Sequence, residues 1–106
     1  HLRVLYLNND PALNLDQRID ILAQINTLNE LHLENDGIRS IPQGINKIKG
    51  LRYLYLNENA IMTLPGTLRT MDQLEYLDLH HNPIAIPQLD QYIMELSPMF
   101  KINISN

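Results

Sequence analysis

The chain has 106 residues, 44% of them apolar, and its 12 acidic against 8 basic side chains leave a formal net charge of −4. That length and composition suit one small domain, read here as residues 1–106. No apolar run approaches the roughly 20 residues that cross a bilayer, and no charged-then-apolar leader opens the chain, so it reads as soluble. Cysteine is absent, which excludes a disulfide framework, a thiolate nucleophile and a sulfur-ligated zinc site but leaves the compartment open.

The chain opens with LRVLYLNNDPAL from Leu2, where alternating apolar residues predict a strand over Val4 to Leu7. NLDQRIDILAQINTL follows, and Leu15, Ile19, Leu22 and Ile25 recur at helical steps behind the acidic Asp16, predicting an amphipathic helix. LNELHLENDGI starts at Leu28 and predicts a second strand, Glu30 to Leu33. In the next return segment Pro42 stands just before Ile45-x-x-Ile48, which favours a short 3₁₀ or helical turn over a long helix. The pattern then repeats, with LRYLYLNENAI from Leu51, a strand over Tyr53 to Leu56, and Pro65 before Leu68-x-x-Met71. LEYLDLHHNPI from Leu74 predicts the strand Tyr76 to Leu79. After it, Leu89, Tyr92, Ile93 and Leu96 lie at helical spacing, Ser97-Pro98 is expected to stop the helix, and Phe100, Ile102 and Ile104 alternate as an extended segment does.

Units beginning at residues 2, 28, 51 and 74 are separated by steps of 26, 23 and 23, and a near-constant step of this size signifies stacked units. The last three share the order L-x-x-L-x-L-x-x-[N/D]-x-I and the first ends one residue late, at Leu13, with Asp10, Asp36, Asn59 and Asn82 at the ninth place of the four. On these residues, and on the Leu-Pro-like return segments, the chain resembles the leucine-rich repeat family. The resemblance implies an α/β fold: a right-handed solenoid with a parallel sheet on its concave face and short helices or 3₁₀ turns on its convex face. Repeats are placed near 2–27, 28–50, 51–73 and 74–96, with a closing segment over 88–106 that resembles the end of bacterial members.

Strand periodicity divides each unit into two sides. Leu5 and Leu7, Leu31 and Leu33, Leu54 and Leu56, and Leu77 and Leu79 are expected to fill the interior. At the ninth place an amide donates and accepts, so Asn59 and Asn82 can satisfy the backbone of neighbouring turns. An ionised Asp10 or Asp36 can only accept, and these two turns are expected to be less well satisfied. No cover like the closing segment precedes Leu2, so the first strand edge is expected to be open and to favour self-association.

The third, fifth, seventh and eighth places are expected to face solvent on the concave side. They hold Val4, Tyr6, Asn8 and Asn9; Glu30, His32, Glu34 and Asn35; Tyr53, Tyr55, Asn57 and Glu58; and Tyr76, Asp78, His80 and His81. Four of the chain's five tyrosines and three of its four histidines fall here. So do Glu30, Glu34, Glu58 and Asp78, with no lysine or arginine, while the remaining residues carry 8 acidic and 8 basic groups. All of the net charge therefore belongs to this face. Tyrosine combines contact area with a polar handle, and an acidic field repels nucleic acid and attracts a basic segment. The partner-binding candidates are Tyr6, Glu30, His32, Glu34, Tyr53, Tyr55, Asn57, Glu58, Tyr76, Asp78, His80 and His81. Histidines among carboxylates make that field tunable by protons.

Catalysis finds little support. His80, His81 and Glu58 could meet across strands, but two imidazoles and a carboxylate on an open face lack a shaped pocket for a metal reaction. Ser40, Ser97 and Ser105 fall outside the predicted sheet, and no glycine-rich phosphate loop occurs. Asn103-Ile104-Ser105 is a formal glycosylation sequon with meaning only in a eukaryotic secretory protein. The reading is a protein-interaction module that needs no cofactor. Its alternatives are a structural or capping part of a longer receptor or effector, and a metal-dependent enzyme.

Overall fold

A computed structural model describes residues 2–96 and 98–103. Five strands, β1 (Val4–Tyr6), β2 (Glu30–His32), β3 (Tyr53–Tyr55), β4 (Tyr76–Asp78) and β5 (Lys101–Asn103), form one parallel sheet in chain order. Register follows the aligned motifs: Leu5 stands beside Leu31, Leu31 beside Leu54, and Leu54 beside Leu77. The strands are one residue shorter than the motif suggests. Sheet bonding nevertheless continues to the sixth-place leucines, whose amides donate to His32, Tyr55, Asp78 and Asn103 at 2.6–2.8 Å.

Each return path crosses the convex side and differs in local structure. Helix α1 (Leu15–Ala23) begins at Asn14, whose side chain accepts from the Gln17 amide, and it buries Leu15, Ile19 and Leu22. Ile25 lies beyond its end. The next two returns are 3₁₀ turns over Gln43–Lys47 and Gly66–Thr70, each following a proline with extended backbone. Helix α2 (Ile86–Leu96) makes the last return and leads to β5, which extends the sheet by pairing with β4. Leu96 and Phe100 join the core there, and the Tyr92 hydroxyl accepts from the Leu64 amide. Ile93, one of the residues at helical spacing, is exposed.

The leucine stack is dense from the second unit onward. Leu31, Leu33, Leu54, Leu56, Leu77 and Leu79 are buried, joined by Ile45 and Leu68 from the 3₁₀ turns. Leu5 and Leu7 fall short of their expected interior position and are only half-buried. No other described strand lies outside β1, so one flank of those two side chains lacks the neighbour that every later unit has. Leu2 is 45% exposed and Tyr6 63%.

Ninth-place residues make the ladder that joins the turns. Asn59 donates to the Leu33 and Leu56 carbonyls, both at 2.9 Å, while its oxygen accepts from the Asp36 and Ile38 amides. Asn82 likewise donates to Leu56 and Leu79 and accepts from Ile61. Asp36 is 0% exposed. One of its oxygens accepts from the Asp10 amide at 2.7 Å, and the other is buried without a partner among the described residues. Burial pushes the Asp36 carboxyl above the usual range, and the nearby Asp10 and Glu34 add to this against the opposing Asp10 amide.

Candidate functional site

Parallel strands in register align the fifth-place side chains into a column on the concave face. The imidazole of His32 lies between Tyr6 and Tyr55, with ring centroids 4.1 and 4.2 Å apart and planes tilted by 18° and 4°. Tyr76 continues the aromatic surface, 5.5 Å from Tyr55 and tilted by 55°. This spacing is close to the interstrand distance of about 4.8 Å, so the sheet itself sets the stack.

The carboxylates are each held by a histidine. His32 Nε2 lies 2.7 Å from Glu30 Oε2, and its Nδ1 lies 3.2 Å from Glu34 Oε2. His80 Nδ1 lies 2.5 Å from Asp78 Oδ1, and the Tyr76 hydroxyl donates to the other Asp78 oxygen at 3.3 Å. His81 stands 3.8 Å from Glu58 and packs edge-on against His80. Asn57 donates to Glu34 at 3.1 Å. These contacts correct the expectation of a fully solvent-facing surface: His32, Asn57 and Asp78 are only 9%, 5% and 7% exposed. Stacked rings and paired polar groups bury one another, leaving Tyr6, Glu58 and His81 exposed and Glu30, Glu34, Tyr53, Tyr55, Tyr76 and His80 half-buried.

Burial raises the Tyr55 phenol above its ordinary range, with Glu30, Tyr76, Asp78 and Tyr53 adding to the effect. The hydroxyl is therefore held in its neutral form, as a donor within the acidic surround. Lys47 pairs with Asp20 and Arg52 with Glu75, both at 3.4 Å, and Arg69 pairs with Glu95, away from the stacked rings, whereas Lys101 of β5, outside the sixteen counted places, stands in register beside Tyr76 and adds a positive charge at the edge of this face. No group of three or more histidine, aspartate or glutamate side chains among the described residues is arranged to hold a metal ion. A depression lined by Asn46, Lys49, Thr70, Met71, Asp72 and Gln73 lies beside the 3₁₀ turns, away from the stacked rings.

One feature of the turn escaped the sequence reading. Every eighth-place residue adopts left-handed backbone: Asn9, Asn35, Glu58 and His81 have φ of 64°, 57°, 60° and 61°. Asparagine tolerates this conformation; glutamate and histidine do so less readily. The asparagines at two of the four aligned places were the available signal.

Residues 26–84, more than half of the chain, match the family described as leucine rich repeat. The chain belongs to the leucine-rich repeat family. Proteins of this family typically mediate protein–protein interactions. The chain is also similar to a solved leucine-rich repeat protein of Leptospira interrogans, at 28% identity over 97% of this chain, with a TM-score of 0.77. It spans about a quarter of that protein's length, 25%. No curated protein matches it significantly. Among the described residues, no helix is long and apolar enough to cross a membrane.

Proposed function

We propose that this leucine-rich repeat array docks a basic segment of a partner protein on its concave sheet, against Tyr53, Tyr55 and Tyr76. The observation that carries the reading is the segregation of charge: the outward places of β1 to β4 and their turns hold four carboxylates and no lysine or arginine, and the basic side chain that β5 adds, Lys101, stands beside Tyr76 at the edge of the sheet. The aromatic column beside those carboxylates offers stacking and cation–π area for an incoming guanidinium or ammonium group. Nucleic acid is disfavoured by the same field.

The test is affinity capture followed by mass spectrometry, comparing wild type with Tyr53→Ala, Glu30→Lys and the convex variants Arg39→Ala and Lys47→Ala. A protein retained by wild type and both convex variants, but lost from Tyr53→Ala and Glu30→Lys, is the expected result. Loss from the convex variants alone would move the docking face to the other side. The exposed flank of β1 favours a second reading, in which the array is a structural part of a longer protein and further units continue the concave surface. A longer version of the chain that gains both stability and affinity would support that reading.

A further inference from the structure

His32 is the one concave histidine whose two ring nitrogens both face carboxylates, Glu30 at 2.7 Å and Glu34 at 3.2 Å. A neutral imidazole has one N–H and one lone pair, whereas an imidazolium has two N–H groups and no lone pair. Only the imidazolium can therefore donate to both glutamates at once. Its surroundings suit that form: Tyr6 of β1 and Tyr55 of β3 cover the two faces of the ring, and a cation between aromatic faces is stabilised by their quadrupoles. Asn57, in the turn after β3, supports Glu34 from the other side.

Loss of the proton changes the arrangement in a defined way. Whichever nitrogen keeps its hydrogen, the other presents a lone pair to a carboxylate oxygen, and one glutamate loses its donor. The net charge of the cluster of His32, Glu30 and Glu34 then goes from −1 to −2. Register places Glu30 directly beside Tyr53, and Tyr53 makes no ring contact among the described residues. Asn57 contributes a second unmet group, since its side-chain oxygen is buried without a donor while its nitrogen serves Glu34.

We propose that His32 is a proton gate for docking: protonated, it occupies Glu30 and Glu34; neutral, it releases one of them to a lysine or arginine of the bound segment beside Tyr53 and Tyr55. This rests on the concave face being the docking surface for a basic segment. Proton and partner cation compete for the same carboxylate pair, so each weakens the other by the same factor.

A hexa-arginine peptide is the probe, titrated calorimetrically into the full chain at constant ionic strength. Binding is expected to be about tenfold tighter at about pH 8 than at about pH 5.5, with protons released on binding at intermediate pH. His32→Gln, which cannot take up a proton, is expected to lose most of this dependence, the remainder belonging to His80 and His81 beside Asp78 and Glu58 on the same face, and Glu30→Gln and Glu34→Gln identify the released carboxylate. Equal affinity of wild type at both pH values overturns the gate, as does a pH dependence that is undiminished in His32→Gln. Absence of peptide binding at either pH, in a chain shown to be folded by circular dichroism, overturns the docking reading instead. The gate is judged separately in the free protein by NMR: Glu30 and Glu34 carboxyl resonances that stay fixed while His32 titrates would refute it.

Discussion

The first two turns and the last two carry the same motif but are held together differently. Around β1 the leucines are half-buried and the ladder contains a carboxylate at Asp36, while the left-handed position is occupied by the tolerant Asn9 and Asn35. Around β3 and β4 the leucines are enclosed and the ladder is made of amides, but the left-handed position falls to Glu58 and His81. The first unit is thus poorly filled and the Asp36 turn that follows it poorly satisfied, whereas the last two turns are well filled but strained. A residue's contribution depends on which neighbours flank its unit, even where the motif is invariant.

Substitution of paired leucines should expose the packing difference most strongly. Leu54→Ala leaves a cavity between two filled units and should cost about 2–5 kcal/mol. Leu5→Ala removes a side chain that is already part-exposed and should cost only about 1–2 kcal/mol. Urea denaturation of the two variants measures the gap, and equal losses would show that the first unit is packed like the others.

The ladder difference predicts a gain. Asp36→Asn supplies the missing donor at a buried site and should stabilise the chain by about 1–3 kcal/mol at neutral pH. Because the folded-state pKa of Asp36 is raised above its ordinary 3.8, the wild-type carboxyl favours folding fully below that value and loses this contribution as pH rises through the higher folded value. The advantage of Asp36→Asn should therefore shrink as pH falls. An advantage independent of pH would mean that the Asp36 carboxyl is not the titrating group.

The strained turns give a smaller effect. Glu58→Asn and His81→Asn should each raise stability by about 1 kcal/mol through easier left-handed backbone, whereas Asn35→Glu should lower it by a similar amount. Thermal melts of the three variants suffice to check the signs. The smallest expected effect is association through the open flank of β1. Light scattering should show weak, concentration-dependent self-association that Tyr6→Lys suppresses, since a charge on an edge strand discourages pairing. A monomer at all concentrations would show that the flank is tolerated unpaired.

Spacing alone determined the parallel register, the inward leucines, the short returns behind Pro42 and Pro65, left open there between 3₁₀ and helical turns, and the amide role of Asn59 and Asn82, because these follow from strand and turn geometry repeated at one step. The composition of the concave face was legible too, since the third, fifth, seventh and eighth places can be counted. What those side chains do to one another was decided only by tertiary structure. The places tell nothing of rotamers, so the burial of His32 between Tyr6 and Tyr55 and its reach to both Glu30 and Glu34 emerge only when three strands are laid side by side. The shortfall of Leu5 and Leu7 has the same origin: burial belongs to a pair of neighbouring units, and a one-dimensional pattern specifies each unit without specifying what lies against it.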